Sequence, residues 1–570
     1  MYDSSSSAGL RRPTSLMRAA SLLAWHPATI APAARYRYCT WRDGPDSTGP
    51  ATIFFLQGTV ARLPIRYTYH RGLGCRFWGA AVKTVRASGV MAAEYEEVGL
   101  GDLGERVRAR TLAWPDLRRL EAQFRRQGHQ LYVVGGYLRD LLLELPIEDK
   151  DVDLATNAHP DQTLALVRAL GWPSYEVGKR FGTIGVRHGN GTIEITTFRT
   201  DTYQGDDRHP EVTFGDNILD DLVRRDLTIN SLAVSLADGP LLDPAGGLKD
   251  LRRHRIRITG DPAQRFAEDP LRLMRVVRFA AQLGFQLDDG TEAAVQHTAS
   301  SLASVSRERV RDELDKILLS SRVAFGLRLL VELDLMAQIA LPVDAMKRFT
   351  DEGKQRFKNL LTHTLRVVEN TPPRLVLRLA GLLHDVGKPR TLSVTNGQVH
   401  FFEHERVGAA MARDILTGLR YDTVTTRDVL ALIQFHMRPA SDTDTWTDSA
   451  IRRFVREVGE ERIEDLFDLA RADVTSSNPR KVSGHMVRLE RLIERCHQAI
   501  EAMHAVKPES PLDGSAIMAL TGLKPGPAIG QIKTYLLNLV LDDELAADDA
   551  TGAEQRMRAF MHAQRMDSPH

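Results

Sequence analysis

Apolar positions recur every three to four residues through most of the second half of the chain, whereas short β-branched runs bounded by glycine are confined to a stretch of the first half. This contrast predicts the architecture. Tyr132-Val133-Val134 suits a buried strand, Gly135-Gly136 allows a tight turn, and Tyr137 to Leu145 has helical spacing. Thr163 to Leu170 predicts a helix, Phe181 to Val186 and Thr192 to Phe198 predict strands, and Leu219 to Leu236 predicts mostly helix followed by a strand. With a helix leading in from about Leu103, these elements make an α+β domain ending near Gly247. Beyond it strand signals nearly vanish. Pro270 to Gly284, Arg307 to Ser320, Val323 to Leu335, Arg374 to Leu383 and Glu403 to Leu416 all carry helical periodicity, so the remainder is expected to be all-α. No fixed period repeats, and no apolar run approaches the roughly eighteen residues needed to span a bilayer.

Composition changes this picture in a few places. A chain of 570 residues is too long for one core, so several domains are expected. Lys and Arg (75) balance Asp and Glu (74), which leaves nucleic-acid binding to local basic patches. Cys39, Cys75 and Cys496 lie far apart without metal spacing; this fits a reducing, cytoplasmic setting and excludes a disulfide scaffold or a cysteine zinc site. Residues 1–90 stand apart, with recurring arginines against only Asp3, Asp43 and Asp46, serines from Ser4 to Ser7, and no sustained periodicity. An organelle transit peptide has that composition. Met91, however, opens an acidic, helix-friendly segment, and the reading adopted is an extension without a packed domain that reflects start-site choice.

The candidate chemistry begins at Leu131 to Asp153. A strand, a glycine turn and a helix start form a phosphate cradle, because free backbone N–H groups and the positive end of the helix dipole converge there. Asp151 and Asp153 sit two apart in an expected strand, so both carboxylates project from one face as hard oxygen ligands suited to Mg²⁺. Glu194 is a third acidic residue, at an otherwise apolar position in TIEITTF. It is either a paired structural carboxylate or the group that completes a site for two Mg²⁺ ions, which can lower the pKa of an attacking 3′-hydroxyl and neutralise a transferring phosphoryl group.

The ordered set GGYLRD (Gly135 to Asp140), DVD (Asp151 to Asp153), EITTFR (Glu194 to Arg199), DDRHP (Asp206 to Pro210), RRDLTINSL (Arg224 to Leu232), DPAGGLKDL (Asp243 to Leu251), EDPLR (Glu268 to Arg272) and SRERV (Ser306 to Val310) resembles the class II CCA-adding tRNA nucleotidyltransferases and the related bacterial poly(A) polymerases. The resemblance covers about residues 115 to 345 and more weakly the rest. It implies a polymerase-beta-like nucleotidyltransferase head (91–247), a helical neck (248–345), a body (346–475) and a tail (476–570). It further implies Asp151 and Asp153 as metal ligands, Gly135, Gly136 and Arg139 at the triphosphate, and Arg225, Asp226 and Asn230 around the incoming nucleotide. The implied partners are tRNA, ATP and CTP, with no membrane.

Physics adds a reading of EDPLR. Adenine and cytosine each offer an exocyclic amine donor beside a ring-nitrogen acceptor, whereas guanine and uracil offer the reverse. Asp269 accepting from the amine and Arg272 donating to the ring nitrogen, three apart on one helical face, would select ATP and CTP without a template. The alternative is an ordinary surface pair of Glu268 or Asp269 with Arg272. Arg275 and Arg278 continue the run, as a solvated basic face or as contacts to the acceptor-stem backbone of an RNA.

His363, His384-Asp385 and Asp473 have the order of an HD phosphohydrolase, with His404 and His436 as further candidate ligands. Imidazole with carboxylate suits Mn²⁺, Ni²⁺, Fe²⁺ or Zn²⁺ better than Mg²⁺. The segment resembles the HD domain of some bacterial nucleotidyltransferases, which implies metal-dependent phosphodiesterase or phosphatase activity. Lys388 is a phosphate contact or a helix-end charge. The expectation is therefore an enzyme that transfers CMP and AMP to the 3′ end of tRNA by two-metal catalysis. Rival readings are a specialist that adds only A, only CC or a poly(A) tract, an HD hydrolase with an RNA-gripping head, and a non-enzymatic RNA-binding protein.

Overall fold

The computed structural model describes residues 37–41, 51–55, 99–147, 151–176, 178–188, 191–202, 211–348, 359–396, 398–441, 443–474, 479–505, 509–542 and 544–564. The chain divides into two units, Met1–Thr84 and Val85–His570. In the first, β1 (Arg37–Trp41) and β2 (Ala51–Phe55) form an antiparallel hairpin, Arg37 opposite Phe55. Met91 and the DDRHP motif lie outside the described residues.

The second unit opens with two helices, Leu100–Leu112 and Pro115–Arg126, that lead into a mixed sheet. Its strands are β3 (Leu131–Val134), β4 (Val152–Thr156), β5 (Ser174–Tyr175), β6 (Thr183–His188) and β7 (Gly191–Thr197), with β10 (Ala233–Ser235) and β11 (Leu241–Leu242). A separate hairpin pairs β8 (Arg199–Thr202) with β9 (Glu211–Phe214). The seven-stranded order is β11-β10-β3-β4-β7-β6-β5, and every pair is antiparallel except β4 with β7. That parallel pair sets Asp153 directly opposite Glu194. Between β3 and β4 runs α1 (Gly135–Leu142), which starts two residues earlier and ends three earlier than its apolar spacing predicts.

Two expectations are corrected here. Leu219 to Leu236 is mostly irregular: a short helix, Ile218–Val223, is followed by a single 3₁₀ turn, Thr228–Asn230, and then β10. The cause is a side chain, because the Asp226 carboxylate accepts the Leu227 N–H at 2.8 Å and draws the backbone out of the helical ladder. Beyond Gly247, β structure persists as a parallel pair, β12 (Arg255–Ile256) with β13 (Gln286–Leu287), and as a hairpin, β14 (Leu392–Thr395) with β15 (Gln398–Phe401).

The helical portion otherwise follows its periodicity. It includes α2 (Pro262–Glu268), α3 (Leu271–Leu283), α4 (Arg307–Leu318), α5 (Leu360–Asn370), α6 (Leu375–Leu383), α7 (His404–Gly418), α8 (Thr423–Phe435) and α9 (Glu460–Asp473). One contiguous apolar core runs from Leu103 to Cys496, and a second, from Leu512 to Met557, belongs to the last three helices. Arg453 and Arg456, on the helix Asp448–Val458, pair with Asp542 at the end of the helix Pro527–Leu541. Among the described residues no helix is long and apolar enough to cross a membrane.

Candidate functional site

The glycine turn does something other than leave N–H groups open. Gly135 has φ 64°, and a Cβ built on it would stand 3.0 Å from Asp153 Oδ2 and 3.1 Å from Arg225 Nη1, so the turn needs a residue without a side chain. Val134, at the head of α1, supplies no side-chain cap. Asp153 reaches across from β4 instead, its Oδ2 accepting from Gly136 N at 2.9 Å and Tyr137 N at 3.2 Å. The two donors that an N-cap normally satisfies are thus bound by a catalytic candidate, and the expected phosphate cradle is filled from within.

Asp153 and Glu194 face one cavity of about 610 Å³. Burial pushes the Asp153 carboxyl up, against its hydrogen bonds and the nearby guanidiniums. Glu194 is raised by burial, then by the charges of Asp153 and Asp151. Carboxylates crowded enough to repel one another are relieved by a divalent cation, so this donor set fits one. Asp151 lies just before β4, is solvent-exposed, and accepts from Thr192 N at 3.2 Å; it does not line the cavity.

The cavity also brings together Gly135, Gly136, Arg139, Arg225, Asp226, Asn230, Asp269, Arg272, Arg275 and Arg278. Arg139 is held by Asp140 at 2.8 Å and by Asn230 at 2.9 Å. Both oxygens of Asp226 are engaged, Oδ1 by Leu227 N and the Asn230 amide, Oδ2 by Arg275 Nε at 2.6 Å. Burial alone would raise the Asp226 carboxyl; the Arg275 guanidinium overrides it and holds the group far below the usual carboxylate range. Asp226 thus braces Arg275.

Arg275 and Arg278 do not form a solvated face. Arg278 is buried, with Nε donating to Glu313 on α4 at 2.6 Å. Its guanidinium, with those of Arg139 and Arg275, surrounds the Phe279 ring at 4.0, 5.1 and 5.5 Å.

Asp269 and Arg272 are both present, but they do not share a helical face. Asp269 is extended, φ −145°, at the corner between α2 and α3. Pro270 follows it, and the residue before proline is pushed out of the helical region. Its Oδ2 accepts from Arg309 at 2.8 Å, while Arg272 Nη1 donates to Glu268 at 2.7 Å and to the Arg265 carbonyl at 2.9 Å. The ordinary pairing of Glu268 with Arg272 is therefore present as well.

Sequence reasoning passed over Asp221, Arg224 and Phe279. Asp221 is fully buried and accepts from both Arg224 and Arg225, at 3.0 and 2.9 Å, presenting two guanidiniums to the cavity. The available signal was an acidic residue three and four positions before an arginine pair.

A second cluster lies between α5, α6, α7, α8 and α9. His363 Nε2 stands 3.0 Å from Asp473 and 3.4 Å from Asp385; His384 Nε2 is 3.2 Å from Asp385. His404 and His436 approach Asp385 at 3.5 and 3.9 Å. All six expected ligands therefore converge. Burial would lower His363, but the hydrogen bonds and charges of Asp385 and Asp473 push it up to about 9; Asp473 is correspondingly held at about 2, against its burial. His436 falls to about 4 through burial and the neighbouring His384. Gly387 permits a close crossing, since a Cβ there would lie 2.2 Å from the His404 carbonyl oxygen. Lys388 donates to Asp385 Oδ2 at 2.7 Å.

Comparison with known proteins accords with both clusters. Residues 131–257 match the family described as "Poly A polymerase head domain", 284–345 that described as "Probable RNA and SrmB- binding site of polymerase A", and 360–478 the "HD domain". The chain is 31% identical to the CCA-adding enzyme of Limosilactobacillus fermentum, over 77% of this chain and 94% of that one. It belongs to the family of CCA-adding tRNA nucleotidyltransferases and poly(A) polymerases. Within that family it is also 32% identical to the A-adding tRNA nucleotidyltransferase of Deinococcus radiodurans, over 77% of this chain and 96% of that one. The crystal structure of the Bacillus stearothermophilus CCA-adding enzyme in complex with CTP superposes with a TM-score of 0.55 at 26% identity, covering 78% of this chain and 97% of that one.

Proposed function

We propose that the chain adds C and A residues from CTP and ATP to the 3′ end of tRNA without a template, releasing pyrophosphate. The observation that carries this reading is that one cavity is lined both by Asp153 and Glu194, opposite each other on paired strands, and by Asp269 and Arg272. Asp151, Asp153 and Glu194 would hold Mg²⁺, which when bound lowers the pKa of the 3′-hydroxyl and neutralises charge on the transferring phosphoryl group. Arg139 and Arg225, oriented by Asn230 and Asp221, meet the triphosphate, with Gly135 and Gly136 keeping the backbone beside it bare. Asn230 and the Asp226–Arg275 pair shape the nucleotide's place. Arg272 uses Nη1 on the protein, and a guanidinium carries five N–H donors, so donors remain for a ring nitrogen; Asp269 likewise has more acceptor sites than Arg309 fills. Arg275 and Arg278 act inside the cavity and not as a track for the acceptor stem.

The proposed boundaries are a head at 91–247, a neck at 248–345, an HD domain at 346–475 and a tRNA-binding tail at 476–570, working in the cytoplasm as the separated cysteines favour. The test supplies tRNA lacking its 3′ end with Mg²⁺ and each nucleotide alone or combined. Addition of C, C and A that then stops supports the reading; A alone, CC alone or an open-ended A tract assigns the chain to a specialist, and no addition refutes it.

A second activity is favoured by the convergence of four histidines and two aspartates in the HD region. These residues fit a transition metal, Mn²⁺, Ni²⁺, Fe²⁺ or Zn²⁺, and with it hydrolysis of a phosphate ester. Metal-dependent release of phosphate from a 2′,3′-cyclic nucleotide, lost on Asp385→Ala, tests it.

A further inference from the structure

One side chain lining the head cavity has no part in the reading above: Phe279, on α3. A phenylalanine 7% exposed would ordinarily be a core residue among apolar groups. This one is ringed by cations. The guanidinium carbons of Arg278, Arg139 and Arg275 stand 4.0, 5.1 and 5.5 Å from its ring centroid, inside the roughly 6 Å over which an aromatic face attracts a cation. Arg275 and Arg278 share α3 with the ring, whereas Arg139 comes from α1 in the head. The ring therefore joins neck arginines to a head arginine.

Each guanidinium is also anchored by polar partners: Arg139 by Asp140 and Asn230, Arg275 by Asp226, and Arg278 by Glu313 and Gln282. Those anchors engage Nε and Nη2 of Arg275 and Nε and Nη1 of Arg278. Nη1 of Arg275 and Nη2 of Arg278 are left without a hydrogen bond among the described residues. Guanidinium nitrogens only donate, so these ends suit the oxygens of an anion. Gathering three like charges is opposed by repulsion: burial pushes Arg278 down, Glu313 resists, and the Arg275 charge adds to the fall. Another carboxylate would gather them more strongly, but it would occupy N–H donors and cancel charge. A phenyl face attracts cations and leaves their in-plane donors to a ligand. Seven arginines consequently line the cavity against four carboxylates, a surplus suited to a polyanion.

We propose that Phe279 is a positioning residue for nucleotide transfer: its ring holds Arg139, Arg275 and Arg278 as one wall whose N–H groups receive the triphosphate oxygens of the incoming nucleotide. The proposal rests on the reading that this cavity takes CTP and ATP, and adds to it the group that keeps head and neck arginines in register. Phe279 itself touches no phosphate. It fixes the guanidinium planes, on which phosphate recognition depends.

The experiment divides the nucleotide into its parts. Full-length wild type, Phe279→Leu, Phe279→Met and Phe279→Tyr are assayed with Mg²⁺ and tRNA lacking its 3′ end, with inorganic triphosphate and cytidine as separate competitors of CTP incorporation. Leucine and methionine remain apolar without a ring; tyrosine keeps the ring. In the Leu and Met variants KM for CTP and ATP and the inhibition constant of inorganic triphosphate should rise about tenfold, while kcat and the inhibition constant of cytidine change by less than about twofold. The Tyr variant should stay within about threefold of wild type in every constant. Two ring-less variants are used so that one decides if the other does not fold; failure of both to fold assigns Phe279 to core packing and overturns the proposal. Unchanged inhibition by triphosphate, an equal rise for cytidine and triphosphate, or a Tyr variant as impaired as Leu also overturns it. A wild type that neither incorporates CTP nor responds to triphosphate overturns the reading of the cavity as well, whereas an active wild type with unaffected variants overturns the role of Phe279 alone.

Discussion

Replacing Asp221 by Asn should weaken the head and its grip on nucleotides together. The carboxylate is fully buried and receives Arg224 on one oxygen and Arg225 on the other. Asparagine keeps the volume and one acceptor but points an N–H₂ donor at the second guanidinium and removes the negative charge. Breaking a buried ion pair by removing one partner costs about 3 to 5 kcal/mol. The two guanidiniums retain 16% and 17% of their side-chain exposure, so water offsets part of the loss, and about 3 kcal/mol is expected. At about 2 °C or more per kcal/mol, the first thermal transition should fall by at least about 5 °C. Freed guanidiniums misplace the triphosphate, so KM for CTP and ATP should rise by about tenfold or more. The pH dependence has a fixed sign. Burial would raise the Asp221 carboxyl, but Arg225 and then Arg224 hold it below its ordinary value. A depressed folded pKa contributes stability above the unfolded value, about 3.9, and loses it as pH falls through the folded one. The stability gap between wild type and variant should therefore be constant at neutral pH and close below about pH 4. An Asp221→Asn protein with unchanged transition temperature and unchanged KM would refute the reasoning.

Three further outcomes are expected. Asp153→Asn should abolish transfer by about 10³-fold or more while retaining an acceptor for the Gly136 and Tyr137 N–H groups, and Asp153→Ala should lose transfer equally and about 1 kcal/mol of stability besides; equal stability of the two variants in urea melts would count against the capping argument. Arg272→Ala should relax discrimination against UTP and GTP by about 10- to 100-fold, without unfolding, because Arg265 still pairs with Glu268; unchanged single-nucleotide incorporation ratios would reject Arg272 as a selector. Gly387→Ala, with a Cβ 2.2 Å from a backbone oxygen, should push α6 from α7 and weaken metal binding at the HD cluster by about 10- to 100-fold in a dialysis titration.

The head was legible because its signals are local: a β-branched run, two glycines, and carboxylates at strand spacing require nothing distant to be recognised. What escaped is long-range. Asp221 looks like one of two acids on a short amphipathic helix until the fold buries it under Arg224 and Arg225. The misread helix from Leu219 failed because Asp226 is drawn to Arg275, 49 residues away, and takes a backbone N–H on the way. The geometry of Asp269 could have been read from Pro270, since a residue before proline seldom stays helical. The HD ligands were recognisable by order, but their meeting around Asp385 exists only after five helices come together.

The reach of Asp153 across to the start of α1 ties two kinds of selection to one side chain. A descendant that abandoned nucleotide transfer would still gain from an acceptor at position 153, because Gly136 and Tyr137 would otherwise present unsatisfied N–H groups at a half-buried helix end. Asp151, exposed and bonded only to Thr192 N among these contacts, carries no comparable structural duty. In a decaying lineage Asp151 should therefore drift first and Asp153 linger, so that in related chains the identity of residue 151 reports on living chemistry better than the identity of residue 153.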